Sequence, residues 1–177
     1  PFGSRKYDDP DGLAKMRGKG LGGEGLELGW KWKPGRKERS RKPLSKTDPA
    51  TLFLDRNLQL LKPGGRLLIV VPDGILSNSG DQYIREYIMG TKDPETGQFF
   101  GGKAIVKAVV SLPTHTFAMS GTGAKTRFLY RQKKEHSSDR QGPIFMAVAE
   151  HVGYLKKGQV EVPDPNGNDL PAIADAY

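Results

Sequence analysis

Cysteine is absent from the 177 residues, which excludes disulfides and thiolate metal sites. Histidine occurs only at His115, His136 and His151, on separate segments without metal-ligand spacing, so no metal site is expected. The longest apolar run, residues 67–71, is far below the ~20 residues that a bilayer-spanning helix needs. No membrane segment is expected, and a cytoplasmic location is the default. Neither a charged n-region nor an apolar h-region follows Pro1, so the N-terminus reads as cut or processed and the chain as a fragment. Ser111 and Ser120 lack the context of a nucleophile elbow. The stretch GKGLGGEG at 18–25 lacks the Gly-Lys-Ser/Thr ending of a phosphate loop and follows no strand, so it reads as flexible linker.

What the chain does have is positive charge, unevenly placed. The formal net charge is +8, and residues 31–46 hold Lys31, Lys33, Arg36, Lys37, Arg39, Arg41, Lys42 and Lys46 against a single carboxylate, Glu38. Clustered cations point to phosphate, because cations that neutralise phosphates together release condensed counterions together. A solvated, disordered loop is the alternative use of such a run. Trp30 and Trp32 beside it suit base stacking or packing against the domain.

Residues 1–47 carry no sustained hydrophobic period and read as a basic, glycine-rich, partly disordered loop. A partial α/β core follows over 48–133. Asp48 offers an N-cap, Pro49 suits the first helical position, and Phe53, Leu54, Asn57, Leu58 and Leu61 recur at helical spacing, predicting a helix over 49–61. Lys-Pro-Gly-Gly then stops the helix, and RLLIVV reads as a strand covered on both faces. In an open α/β sheet, ligands sit outside the carboxyl ends of the strands, which makes Asp73-Gly74 a pocket loop. A second helix ends near Gly90, an exposed insertion covers 91–103, and strands over 104–112 and 125–131 suggest an antiparallel hairpin around a 113–123 loop. Residues 134–177 read as charged linker, a possible edge strand over 144–150, and a loose tail over 153–177.

The segments LFLDRNLQLLKPGGRLLIVVPDGIL, YIREYI, VVSLPTHTF, SGTGAKTRFLY and IFMAVAEHVGY, in that order over residues 51–155, resemble the modification subunits of type I restriction-modification systems. These are adenine-N6 DNA methyltransferases of the gamma arrangement. The resemblance implies the C-terminal half of a Rossmann-like S-adenosylmethionine-dependent methyltransferase sheet with a terminal antiparallel hairpin. It makes Pro1-Phe2 the last two positions of an Asn/Asp-Pro-Pro-aromatic catalytic signature, with Phe2 stacking on the extruded base. Phe117 matches the family's second aromatic, and a core phenylalanine covering a strand end is its alternative use. Lys125 and Arg127 enter a strand after a Walker-like stretch that is not a Walker loop, since Ala124 stands where the glycine is required. They are candidate phosphate contacts.

The chemistry behind the signature is general. Adenine's amino lone pair is delocalised into the ring, so acceptors must be preorganised at that nitrogen before it attacks a methyl donor, and the base must first leave the duplex. The acceptors and the family's S-adenosylmethionine loop are expected upstream of this chain, which alone is expected to be inactive. The resemblance further implies DNA, a specificity subunit and a nuclease subunit as partners. Two alternatives stay open: methylation of RNA or protein glutamine, which shares the Asn-Pro-Pro-aromatic logic, and a non-enzymatic nucleic-acid or assembly module.

Overall fold

The computed structural model describes residues 6–18, 25–36 and 40–177; Pro1, Phe2, Lys37 and Arg39 lie outside the described residues. The chain begins with α1 (Pro10–Arg17), whose N-cap Asp9 accepts a hydrogen bond from Asp11 N at 3.1 Å. A 3-10 turn at Glu27–Gly29 leads into a short antiparallel ribbon, β1 (Trp30–Lys31) and β2 (Lys42–Pro43). Where a basic, glycine-rich, partly disordered loop is expected over 1–47, the described residues of that range carry this helix, turn and ribbon. Leu13, Leu28 and Trp32 are buried, held by contacts distant in sequence that no local period could announce.

The helix predicted from Asp48 is α2 (Pro49–Leu60), and the Asp48 carboxylate accepts from Ala50 N at 2.8 Å. Leu54 and Leu58 of its inner face are fully buried, each contributing about 1.5–3 kcal/mol by removal from water. Gly64, at φ 74°, turns the chain in the left-handed region that glycine favours, and its N–H donates to Lys133 O at 3.1 Å. The next strand, β3 (Arg66–Pro72), runs directly into α3 (Asp73–Ser77), followed by α4 (Gln82–Met89). Gly90, at φ 100°, ends α4 where a Cβ would meet Phe100 O at 2.3 Å. The 91–103 insertion folds as a small hairpin of β4 (Thr91–Lys92) and β5 (Phe99–Phe100).

β6 (Ala104–Ser111), a 3-10 segment Thr114–Ser120, β7 (Thr126–Lys133) and β8 (Phe145–Val148) complete the main sheet, in the order β3-β7-β6-β8. β7 is antiparallel to both its neighbours, and β8 is parallel to β6 at the edge. The predicted hairpin and edge strand are therefore present in an α/β unit. The carboxyl ends of β3, β6 and β8 share one rim.

Helices α2 and α4 cover one face of the sheet, packing Leu54, Leu58, Ile84 and Ile88 against Val71, Val106, Val109 and Leu129. The loose tail expected over 153–177 is instead an antiparallel pair, β9 (Val152–Lys157) and β10 (Val160–Asn168), followed by α5 (Leu170–Ala176). α5 lies over the second face, where Phe128, Tyr130 and Phe145 line an apolar groove of about 430 Å³ with Ile173 and Tyr177. Cover on that face is incomplete. Leu68 of β3 is 61% exposed, so β3 is not enclosed on both sides as its all-apolar sequence predicts.

Candidate functional site

The rim gathers Asp73, Lys125, Arg127 and the Phe117 loop. Strand register explains the meeting: Pro72 pairs with Thr126, and Ser111 pairs with Arg127. The first turn after β3, the entry to β7 and the exit from β6 therefore lie side by side.

Asp73 is held on three sides. Its N–H donates to Lys125 O at 2.9 Å, Oδ1 pairs with Arg127 Nε at 2.5 Å, and Oδ2 accepts from Ser77 Oγ at 2.8 Å. Burial pushes its carboxyl up. The Ser77 and Arg127 hydrogen bonds, with the charges of Arg127 and Lys125, outweigh that and hold it below the ordinary carboxylate range. Arg127 is thus committed to Asp73, whereas Lys125 is exposed to solvent. Ser77 was not singled out from the sequence. Its signal was the i, i+4 spacing from Asp73 on a short helix.

Phe117 sits half-buried in the 3-10 segment, at φ −118° and ψ 22°, and packs against the cluster of Leu112, Ala149 and Val152 with Tyr154. Thr116 Oγ1 donates to Pro113 O at 2.7 Å, and Gly121, at φ 78°, closes the segment. The Tyr154 hydroxyl donates to Thr116 O, and Lys156 Nζ donates to Ala118 O at 3.2 Å. Burial, with the charge of Glu161, pushes the Tyr154 phenol above its ordinary value.

The basic segment is seated apart from the rim, on α4. Trp32 is buried, with its ring edge-on to Tyr83 at 5.4 Å and its Nε1 donating to Glu86 Oε2 at 3.3 Å. Gly35 N donates to Glu86 Oε1 at 2.6 Å. Trp32 is therefore a packing residue rather than an exposed stacking platform. Lys31, Lys33, Arg36, Arg41 and Lys42 are exposed around it. Arg41 also pairs with Glu27 at 3.2 Å and lies 5.6 Å from the Trp32 ring.

Beneath α2, Asp55 is fully buried. It accepts from Leu28 N at 2.8 Å and from the Tyr87 hydroxyl at 2.5 Å. Burial pushes its pKa up against those two hydrogen bonds, and burial pushes the neighbouring Arg131 guanidinium down to about 10. This network ties the N-terminal segment to the sheet rather than facing the rim. Among the described residues no helix is long and apolar enough to cross a membrane.

Among solved structures, a protein assigned as a class I S-adenosylmethionine-dependent methyltransferase from Listeria monocytogenes is 18% identical, with 97% of this chain and 38% of that chain covered at a TM-score of 0.51. That likeness shows a shared fold. The M protein of the type I restriction enzyme EcoKI is 28% identical over 50% of this chain and 16% of its own, at a TM-score of 0.39. A modification subunit of a type I restriction enzyme from Vibrio vulnificus is 20% identical over 76% and 24%, at 0.42. The chain thus spans well under half the length of each of these structures. A comparison with curated proteins gave no match. The family model described as N-6 DNA Methylase matches residues 24–166, and the chain belongs to that family.

Proposed function

We propose that this chain forms the base-holding part of an adenine-N6 DNA methyltransferase, the modification subunit of a type I restriction-modification system. The intact protein would transfer a methyl group from S-adenosylmethionine to an extruded adenine, with a specificity subunit reading the target sequence and a nuclease subunit completing the complex. The carrying observation is the rim shared by the carboxyl ends of β3 and β6, which carries the Asp73–Arg127 pair after β3 and the Phe117 segment after β6, the position at which open α/β sheets take ligands. Membership of the N-6 DNA Methylase family favours DNA over RNA or protein glutamine. The type I assignment rests on the resemblance of the segments over 51–155.

In this reading the half-buried Phe117 ring offers a face to the flipped base, joined by Phe2. Lys125 reaches a phosphate, and Arg127 braces Asp73 instead. Lys31, Lys33, Arg36, Arg41 and Lys42, together with Lys37 and Arg39, approach the DNA backbone. Among the described residues no strand of the main sheet precedes α2, which supports the reading that the S-adenosylmethionine site lies outside this chain.

Two measurements test the reading. Calorimetry on this chain should give no saturable S-adenosylmethionine binding, and tight binding would refute the placement of the cofactor site elsewhere. In the intact protein, Phe117→Ala should lower methylation by about tenfold or more, since base–aromatic stacking contributes about 1–3 kcal/mol; unchanged methylation would remove Phe117 from the site.

A further inference from the structure

The β9–β10 pair has no part in the reading above, yet it is fastened to the rim at several points. Ala149 N donates to Ser111 O at 2.9 Å, tying the chain after β8 to the carboxyl end of β6. The Asp169 carboxylate accepts from Glu150 N at 2.8 Å and from His151 N at 2.9 Å, fixing the base of the pair. From this fastened base, Tyr154 and Lys156 of one strand reach two carbonyls of the 3-10 segment, on either side of Phe117. The Tyr154 ring also packs against the same cluster of Leu112, Ala149 and Val152 as Phe117 does.

We propose that Tyr154 is a positioning residue for Phe117, holding the aromatic loop in the conformation that receives an extruded base. The proposal rests on the assignment of Phe117 to the base. A 3-10 segment has poorer internal hydrogen-bond geometry than an α-helix, so its carbonyls gain from partners supplied by another element. The phenol bond to Thr116 and the ammonium bond to Ala118 supply two. Preorganisation of this kind removes an ordering cost that would otherwise fall on the flipping step.

The test uses the intact methyltransferase, with Tyr154→Phe as the main variant because it keeps the ring packing and deletes only the hydroxyl. Lys156→Met is the second variant. Each is assayed on duplexes carrying the recognition site with the target adenine either paired or mismatched, since a mismatched base costs less to extrude. Tyr154→Phe should lower kcat/KM on the paired target about five- to tenfold, the size of one lost hydrogen bond, and should be largely rescued on the mismatched target. Lys156→Met should show the same pattern more weakly. Loss of equal size on both duplexes would mean that Tyr154 only supports the fold, and no loss would mean that it positions nothing; either result overturns the proposal. Phe117→Ala runs alongside. If Phe117→Ala impairs methylation and Tyr154→Phe shows no mismatch rescue, the brace fails while the base-holding reading stands. If Phe117→Ala changes nothing, both fall.

Discussion

At the scale of single residues, two aspartates show how differently the same side chain is used. Asp73 stood out in the sequence because it follows an apolar strand, and the structure places it at the rim. Asp55 did not stand out, because a carboxylate within an amphipathic helix ordinarily faces water, and the partners that make it buried, Leu28 and Tyr87, come from distant segments. Asp55→Ala should therefore cost about 3 kcal/mol or more, since it leaves the Leu28 N–H and the Tyr87 hydroxyl without their acceptor and Arg131 without its counter-charge. Denaturant unfolding measures this, and a cost under about 1 kcal/mol would show that the network is not holding the N-terminal segment. Asp73 gives a pH signature instead. Its lowered pKa means that its stabilising contribution is present above the ordinary carboxylate range and is lost as pH falls through the lowered value. Asp73→Asn should flatten part of the acid limb of the stability curve below about pH 4; an acid limb identical to that of the unsubstituted protein would contradict the assignment.

At the scale of elements, legibility followed the range of the forces involved. α2 was readable from its cap, its proline and its apolar spacing, all local, and so was β3 from its apolar run. β9 and β10 were not, because Pro163, Pro165 and Gly167 read as loop, and only the turn at Gly158-Gln159, with Lys157 paired to Val160, signalled a hairpin. Phe117 was placed by resemblance, whereas Tyr154 lies on the element missed. The same hairpin carries a pH dependence. His151 Nδ1 lies 2.9 Å from Asp164 Oδ2. The Asp164 hydrogen bond raises the imidazole pKa against some burial, helped by the charges of Asp164, Asp169 and Glu150. A raised histidine pKa gives stability that is complete below the ordinary value of about 6.5 and is lost as pH rises through the folded-state value. Hydrogen exchange in β9 and β10, corrected for intrinsic rates, should therefore show weaker protection at alkaline than at mildly acidic pH. His151→Gln should abolish the difference, and equal protection across that range in the unsubstituted protein would rule the ion pair out as a support.

At the scale of the whole molecule, charge and apolar surface are segregated. One cluster of exposed cations surrounds the β1–β2 ribbon seated on α4, while β3 forms one edge of the sheet with Leu68 exposed and Arg66 as its one charged residue. Between Arg66 at its start and Pro72 at its end, this seven-residue edge lacks the charges, prolines and bulges that ordinarily block strand addition. In the proposed enzyme, further strands of the methyltransferase sheet would cover it. Net positive charge opposes association of this chain with itself, but at physiological ionic strength the screening length is about 8 Å, and the cation cluster is not on β3. The apolar edge should then prevail. This chain is expected to self-associate at micromolar concentrations through β3, by an amount that grows with added salt as repulsion is screened. Leu68→Lys should shift the sedimentation profile toward monomer by placing a charge on the pairing strand, whereas Met146→Lys on the opposite edge strand β8 should act less. A chain that stays monomeric at high concentration and high salt, or one whose association ignores Leu68→Lys, would show that β3 is already protected and that the sheet needs no further strand on that side.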